Sequence, residues 1–305
     1  MMKKFKTIGI LSIIMTLLMT VLAIPAVTVA AEATVNLGTA ASYAVLAGTT
    51  ITNTGPTMIS GSVGGNIGVS PGSSITGFPP GTVSDGTIHS ADASALQAQA
   101  DLVIAYNDAA GRPVTSDLTG QDLGGLTLTP GVYSFSSSAQ LTGTLTLDAQ
   151  GDPEAVFIFQ IGSTLTTASG SSVSLTNEAR FCRVFWQVGS SATLGTNSTF
   201  VGHIFALTSI AAQTGATVQG QLLARNGAVT LDNNTINNGV CETSATETET
   251  TATEGETTGT SEVTTATTDV DIPQTGETSN LPIIALVLLG LAGGFVLLNR
   301  RIRSR

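Results

Sequence analysis

Three sets of residues in this chain have types and spacings that bear on chemistry: carboxylates, two histidines and a periodic series of threonines. Acid-catalysed cleavage of a glycosidic bond needs two carboxylates facing one groove. Eleven acids lie between Asp85 and Asp232, but Asp148, Asp152 and Glu154 cluster with Gly151 and Pro153 as a solvated loop would, and Asp117 and Asp122 read the same way. His89 precedes the start of a helical stretch and His203 follows a glycine at the head of a repeat, so both read as structural. No Ser-His-Asp, Walker or His-rich spacing occurs. These residues describe a protein that is not an enzyme and holds no metal or cofactor. The threonines are different. Thr199, Thr217 and Thr235 recur every 18 residues, and so do Thr196 and Thr214, with Asp232 in the third place. Thr144, Thr164 and Thr166 lie in earlier stretches and Thr193 in the first clear repeat. On stacked strands such residues stand about 4.8 Å apart between strands and about 7 Å apart along one. Ice also repeats on a scale of several ångströms, so a flat rank of Thr methyls and hydroxyls holds water in a nearly ice-like order. Thr also simply suits exposed strands.

The elements that position these residues repeat. Residues 184–202, 203–220 and 221–238 align with periods of 19, 18 and 18, and weaker echoes begin near Val132 and Val156. Ala192 and Leu194, Ile210 and Ala212, and Val229 and Leu231 occupy matching places. Their period of two puts them on one face of a strand, pointing inward. A unit of about 18 residues built from three short strands is one coil of a β-solenoid, which buries its face by stacking on a neighbour. A β-sandwich also alternates but does not require equal spacing. One segment breaks the pattern: Ser90 is placed to cap a helix over 91–110 that ends at Gly111 and Pro113, with Ala95, Leu102, Val103, Ala105, Tyr106 and Ala109 as its apolar stripe. Its length of about 30 Å nearly equals that of six coils at about 4.8 Å each. The helix is therefore expected to cover one side, where strands holding Val184, Trp186, Ile204 and Phe205 are apolar enough to be covered on both faces.

Both ends carry sorting signals. Residues 1–31 join Lys3, Lys4 and Lys6 to an apolar run and the small residues Val29, Ala30 and Ala31, as a secretory signal peptide does. An uncleaved membrane anchor is the alternative. Residues 242–271 hold eight acids and no base among Thr, Ser, Ala and Gly, the composition of an extended disordered stalk. In 272–305, Ile272-Pro273-Gln274-Thr275-Gly276 precedes an apolar stretch, 281–298, about long enough to span a bilayer, and then Arg300, Arg301 and Arg303. This order resembles the sortase sorting signal of Gram-positive surface proteins, with Ile272 in the usual place of Leu. The resemblance implies cleavage between Thr275 and Gly276, transfer of the Thr275 acyl group to a peptidoglycan amine, and transient membrane insertion before sorting; an ordinary tail anchor is the alternative. Cys182 and Cys241 are the only cysteines, and export makes a disulfide their natural state. Removing both terminal signals leaves a 32–241 domain with twelve acids and four bases above the acidic stalk. That charge excludes nucleic acid as a partner.

The 32–241 region resembles the bacterial and fungal ice-binding protein family with a discontinuous solenoid. The runs that carry the resemblance include Tyr43-Ala44-Val45-Leu46-Ala47-Gly48, Thr52-Asn53-Thr54-Gly55-Pro56-Thr57, Gly77-Phe78-Pro79-Pro80-Gly81, Ala105-Tyr106-Asn107-Asp108-Ala109-Ala110, Val184-Phe185-Trp186-Gln187-Val188-Gly189 and the stretch from Leu223 to Asp232. The resemblance implies an all-β-dominated fold: a right-handed, triangular β-solenoid of about six coils with one long α-helix alongside. It also implies a monomer whose partner is ice or an ordered water surface, bound through one flat, helix-free face. Thr214-Gly215-Ala216-Thr217 resembles a short motif of that face, while Asp232, Asn233 and Asn237 interrupt the Thr array. Two functions fit: a secreted, wall-anchored ice-binding protein, or a surface adhesin of the same fold that does not bind ice.

Overall fold

Short strands rich in alternating apolar and small polar residues build this molecule. A computed structural model describes residues 32–239 and 241, residue 63 excepted. The signal peptide, stalk and sorting signal read from the sequence lie outside the described residues. Every ladder is parallel, and the chain visits three ladders in turn before starting the next layer.

The first ladder runs Ser116–Asp117, Gly131–Phe135, Phe157–Ile161, Val184–Val188, 203–206, 221–224, Tyr43–Ala47, Asn66–Val69 and Ile88–Ser90. The second runs Ala139–Leu141, Leu165–Thr167, Ala192–Leu194, Ile210–Ala212, Val229–Asp232, Thr50–Thr54 and Ser74–Thr76. The third runs Thr127–Leu128, Thr144–Asp148, Ser172–Thr176, 199–201, 217–219, Thr235–Asn237, Met58–Ser60 and Thr82–Val83. The first and third belong to one 15-stranded sheet because Thr199–Ala206 and Thr217–Ala224 run from one ladder into the other. They bend at Gly202 and Gly220, paired in register with φ of 107° and 140°. A Cβ at Gly220 would stand 2.1 Å from the Gly202 carbonyl oxygen, so the bend requires glycine there.

Stacking order departs from chain order. The layers from 116 to 237 follow one another, and the N-terminal strands then stack on the C-terminal layer. Val45 pairs with Leu222, Ile51 with Val229 and Met58 with Thr235. Gln221 and Asn238 tie this seam. The buried Gln221 donates through Nε2 to the carbonyls of Ala40 at 2.9 Å and Tyr43 at 2.5 Å, and Asn238 donates to those of Ala41 and Gly64.

The inward residues fill one core. The matched pairs Ala192 and Leu194, Ile210 and Ala212, and Val229 and Leu231 are all buried in it, as their alternation predicts. Phe159 stacks on Trp186 at 3.9 Å, and the indole Nε1 donates to the Val201 carbonyl at 3.0 Å. A second apolar cluster lies outside the first ladder. Val132, Ile158, Phe185, Phe205, Leu223 and Leu46 are covered there by Ala98, Leu102, Ala105, Tyr106 and Ala109 of helix α1 (Ala93–Gly111). The expected two-sided burial is therefore seen, with Trp186 inside and Phe185 and Phe205 beneath the helix. The helix begins later than its sequence suggests. Asp92, not Ser90, is the cap: its carboxylate accepts the Ala95 N–H at 2.9 Å. Ser90 ends a strand, and its hydroxyl is committed to the Ser73 carbonyl at 2.7 Å.

Cys182 and Cys241 form the expected disulfide, which ties the short 3-10 turn Phe181–Arg183 to the end of the described chain. Among the described residues, no helix is long and apolar enough to cross a membrane.

Candidate functional site

The acids account for themselves locally. Asp117 accepts from the Thr119 hydroxyl and N–H, which hold its carboxyl below the usual range. Asp148 is lowered by Asn177 and by the Gln150 N–H. Burial pushes Asp122 up, but the N–H groups of Thr142 and Gly124 outweigh it and leave the carboxyl lowered. Glu154 pairs with Arg183. Asp117, Asp122 and Asp148 thus fasten turns through their own hydrogen bonds, which favour the ionised form. His89 bridges Thr87 and Asp92 at the helix start. His203 is buried between Phe181 and Phe185, and burial pushes its pKa down to about 4. Among the described residues, no group of three or more His, Cys, Asp or Glu could hold a metal ion.

The threonines form ranks, and the register assigns each to a face. Thr166 and Thr193 belong to the second ladder, and Thr164 lies just before its strand. Thr144, Thr199, Thr217 and Thr235 belong to the third. Thr196 and Thr214 sit in the turns between the two. The candidates expected on one face are therefore divided between two faces and the corner joining them. The 18-residue period marks equivalent places in successive layers, and every face of a solenoid repeats with that period.

The second ladder carries the more complete array. Its outward rank runs Gln140, Thr166, Thr193, Ala211, Thr230, Thr52 and Thr76, paired residue to residue. None of these seven positions is buried. Two residues before each of these, at the strand start or just ahead of it, stand Ser138, Thr164, Ser191, Ser209, Ala228, Thr50 and Ser74. Lateral hydrogen bonds order this rank. The Thr164 hydroxyl donates to Ser138 at 2.8 Å, the Ser191 hydroxyl accepts the Ser209 N–H at 3.3 Å, and the Ser209 hydroxyl accepts the Ala228 N–H at 3.2 Å. β-branching further restricts the Thr rotamers. Thr52, Thr76 and Thr230 escaped the sequence reading. Thr230 continues the spacing from Thr193 through Ala211, but Thr52 and Thr76 join the rank only through the out-of-order stacking.

The third ladder is less open. Its first outward rank is Thr144, Ser172, Thr199, Thr217, Thr235, Met58 and Thr82. In the next rank Val201 is buried. A hollow of about 520 Å³ separates Gln219 and Asn237 from the segment holding Glu178, Arg180 and Phe181. Asn237 lies in that hollow. Asn233, with φ of 50°, makes the turn between ladders and is not a face residue.

The chain matches the family described as Ice-binding-like over residues 45–237. It is 59% identical over 212 residues to an ice-binding protein of Nostoc sp. (strain HG1), covering 69% of this chain and 76% of that one. It is 37% identical over 220 residues to an ice-binding protein of Colwellia sp., covering 67% and 83%. Among solved structures, an ice-binding protein from an Antarctic biological consortium shares 48% identity with a TM-score of 0.66, covering 69% of this chain and 93% of that one. One from the Antarctic ascomycete Antarctomyces psychrotrophicus shares 45% with a TM-score of 0.64, covering 67% and 98%. The aligned domain makes up nearly all of both solved chains, so in these relatives it folds on its own.

Proposed function

Because this chain belongs to the Ice-binding-like family, we propose that it adsorbs to ice through the second ladder. The observation that carries this reading is the outward rank of the second ladder, paired across seven strands with Thr at five of them, beside a second row with Ser or Thr at six of seven positions. Neighbouring strands set one repeat at about 4.8 Å and alternate residues along a strand the other at about 7 Å. Thr methyls settle into gaps between ordered waters while the hydroxyls hydrogen-bond to them. The ordered side chains lose little entropy on adsorption, so a modest gain at each position accumulates along the rank. Ice adsorbed at many such points grows only between them, in curved fronts, which lowers the freezing point and slows recrystallisation.

In this reading each circuit of the three ladders is one coil of a right-handed solenoid of triangular section, acting as a monomer without catalysis. The signal peptide at 1–31, stalk at 242–271 and sorting signal at 272–305 make it a secreted protein joined through Thr275 to peptidoglycan, so that the domain stands out from the wall of a Gram-positive cell. Freezing a dilute solution of residues 32–241 slowly tests adsorption. The protein should be retained in the ice, and Thr230→Tyr should return most of it to the liquid without lowering the melting temperature of the fold. Equal retention of both proteins would refute the assignment of this face. Mass spectrometry of wall fragments tests anchoring, which predicts a peptide ending at Thr275.

A further inference from the structure

We propose that the outward face of helix α1 is a self-association surface, on which two copies of this chain pair about a two-fold axis with their helices antiparallel. The helix has two apolar sides. One, with Ala98, Leu102, Ala105 and Ala109, covers the first ladder. On the other stand Ala93, Leu96, Ala100, Ile104 and Asn107, all exposed. At 3.6 residues per turn these five lie within about 40° of a line through Ala100. Leu96 is 61% exposed and Ile104 65%, more than any other large apolar side chain among the described residues. A solvated helix face ordinarily carries charge, and a helix apolar on both sides is ordinarily covered on both. The only charged residues of this helix are Asp101 and Asp108, and both are committed within their own chain. Asp101 accepts from the Thr39 hydroxyl and N–H, each at 2.7 Å, and Asp108 accepts from the Arg112 guanidinium at 2.7 and 2.8 Å.

Two observations make a second copy the occupant. First, the stripe is self-complementary. Ala93 and Leu96 stand seven and four residues before Ala100, and Ile104 and Asn107 stand four and seven after it. A two-fold axis at Ala100 therefore sets Leu96 of each copy against Ile104 of the other. The small residue at the crossing lets the helix axes approach to about 8 Å, and the antiparallel arrangement opposes the two helix dipoles. Second, the 32–241 domain carries twelve acids against four bases, so copies repel over much of their surface. The stripe presents no charge, and a basic partner drawn to this acidic domain finds nothing there to pair with. A single helix pair falls short of the roughly 1,200 Å² of total area that a stable dimer buries. The domain is therefore a monomer when dilute and pairs at the millimolar local concentrations that tethering provides. Because the helix covers the first ladder, pairing leaves the outward rank of the second ladder uncovered in each copy.

Sedimentation of residues 32–241 tests the pairing. The parent is expected to be monomeric at about 10 μM and to hold about a third or more of its mass as dimer at about 1 mM. Leu96→Glu with Ile104→Glu should remain monomeric throughout, while keeping the melting temperature of the parent and its retention in ice. Cysteine pairing checks the geometry independently. Ala100→Cys, at the axis, should cross-link into dimers on mild oxidation. Ala93→Cys should not, because in the antiparallel pair the two copies of residue 93 stand about 21 Å apart along the helices, far beyond disulfide reach. A parent that stays monomeric at the higher concentration would overturn the proposal. So would a glutamate variant that pairs like the parent, or an Ala93→Cys variant that cross-links as readily as Ala100→Cys. Retention in ice is read separately, so a failure of the ice reading and a failure of pairing are told apart.

Discussion

At the scale of single residues, the account turns on which threonines share a rank. Thr199, Thr217 and Thr235 were visible as a period, yet the period alone does not say which face they occupy; the register assigns them to the third ladder and puts Thr166, Thr193, Thr230, Thr52 and Thr76 together on the second. Ala211 interrupts that second rank between Thr193 and Thr230. Ala211→Thr therefore adds a hydroxyl and a methyl in register and should raise thermal hysteresis at equal concentration; a fall would mean that the rank is not the adsorbing surface. His203 gives a prediction independent of ice. Its pKa is pushed down by burial to about 4 in the folded protein, against about 6.5 in an unfolded chain. The unfolded state thus binds the proton first as pH falls. Stability is fully present above about pH 6.5 and declines toward pH 4, by on the order of 3 kcal/mol. Urea midpoints at pH 7 and 4.5 should show the drop, and His203→Asn should flatten it. The lowered carboxylates Asp117 and Asp148 release their contributions at still lower pH.

At the scale of elements, the strands that repeat every 18 residues were legible because each places two inward apolar residues at fixed offsets. Helix α1 was legible from its stripe: Ala95, Leu102, Ala105, Tyr106 and Ala109 are buried as expected, while Val103 is only half-buried. Its start was misplaced because Ser90 is a capping residue by type, and only the structure shows that it is committed to the Ser73 carbonyl while Asp92 faces the Ala95 N–H. Asp92→Ala should cost about 1 kcal/mol and Ser90→Ala less, by chemical denaturation; the reverse order would restore the sequence-based assignment. The turns between the second and third ladders have their own logic. Asn197 and Asn233 hold φ of 54° and 50°, beside Gly143, Gly170 and Gly215 in equivalent turns. Asn233 therefore sits in the array as a turn residue. Asn233→Gly should be tolerated, and Asn233→Val should cost about 1–2 kcal/mol; equal stability of the two would contradict this role.

At the scale of the whole molecule, the stacking order was the least legible feature in the residues themselves. Periodicity compares segments along the chain, whereas the seam joins Val45 to Leu222 and Ile51 to Val229 across more than half the described sequence. The N-terminal layers lack the regular 18-residue spacing, and only family resemblance pointed to a discontinuous stack. Gln221 and Asn238 show what such a seam demands: buried amides that satisfy the carbonyls of 40–43 and Gly64, where the N-terminal layers stack on the C-terminal one. The disulfide between Cys182 and Cys241 works at the same scale, tying the turn before Val184–Val188 to the chain beyond Thr235–Asn237 across a separation of 59 residues. The seam also completes the outward rank of the second ladder, because Thr52 and Thr76 from the N-terminal layers extend the rank begun by Thr166 and Thr193.

The most direct test of the central claim is thermal hysteresis of residues 32–241, measured beside Thr193→Tyr with Thr230→Tyr at matched concentration and verified fold. The account predicts clear hysteresis and shaped crystals for the parent, and a loss of about tenfold or more for the variant, the scale of roughly 1.4 kcal/mol in adsorption. Unshaped crystals and no hysteresis for the parent, or an unchanged gap for the variant, would contradict it.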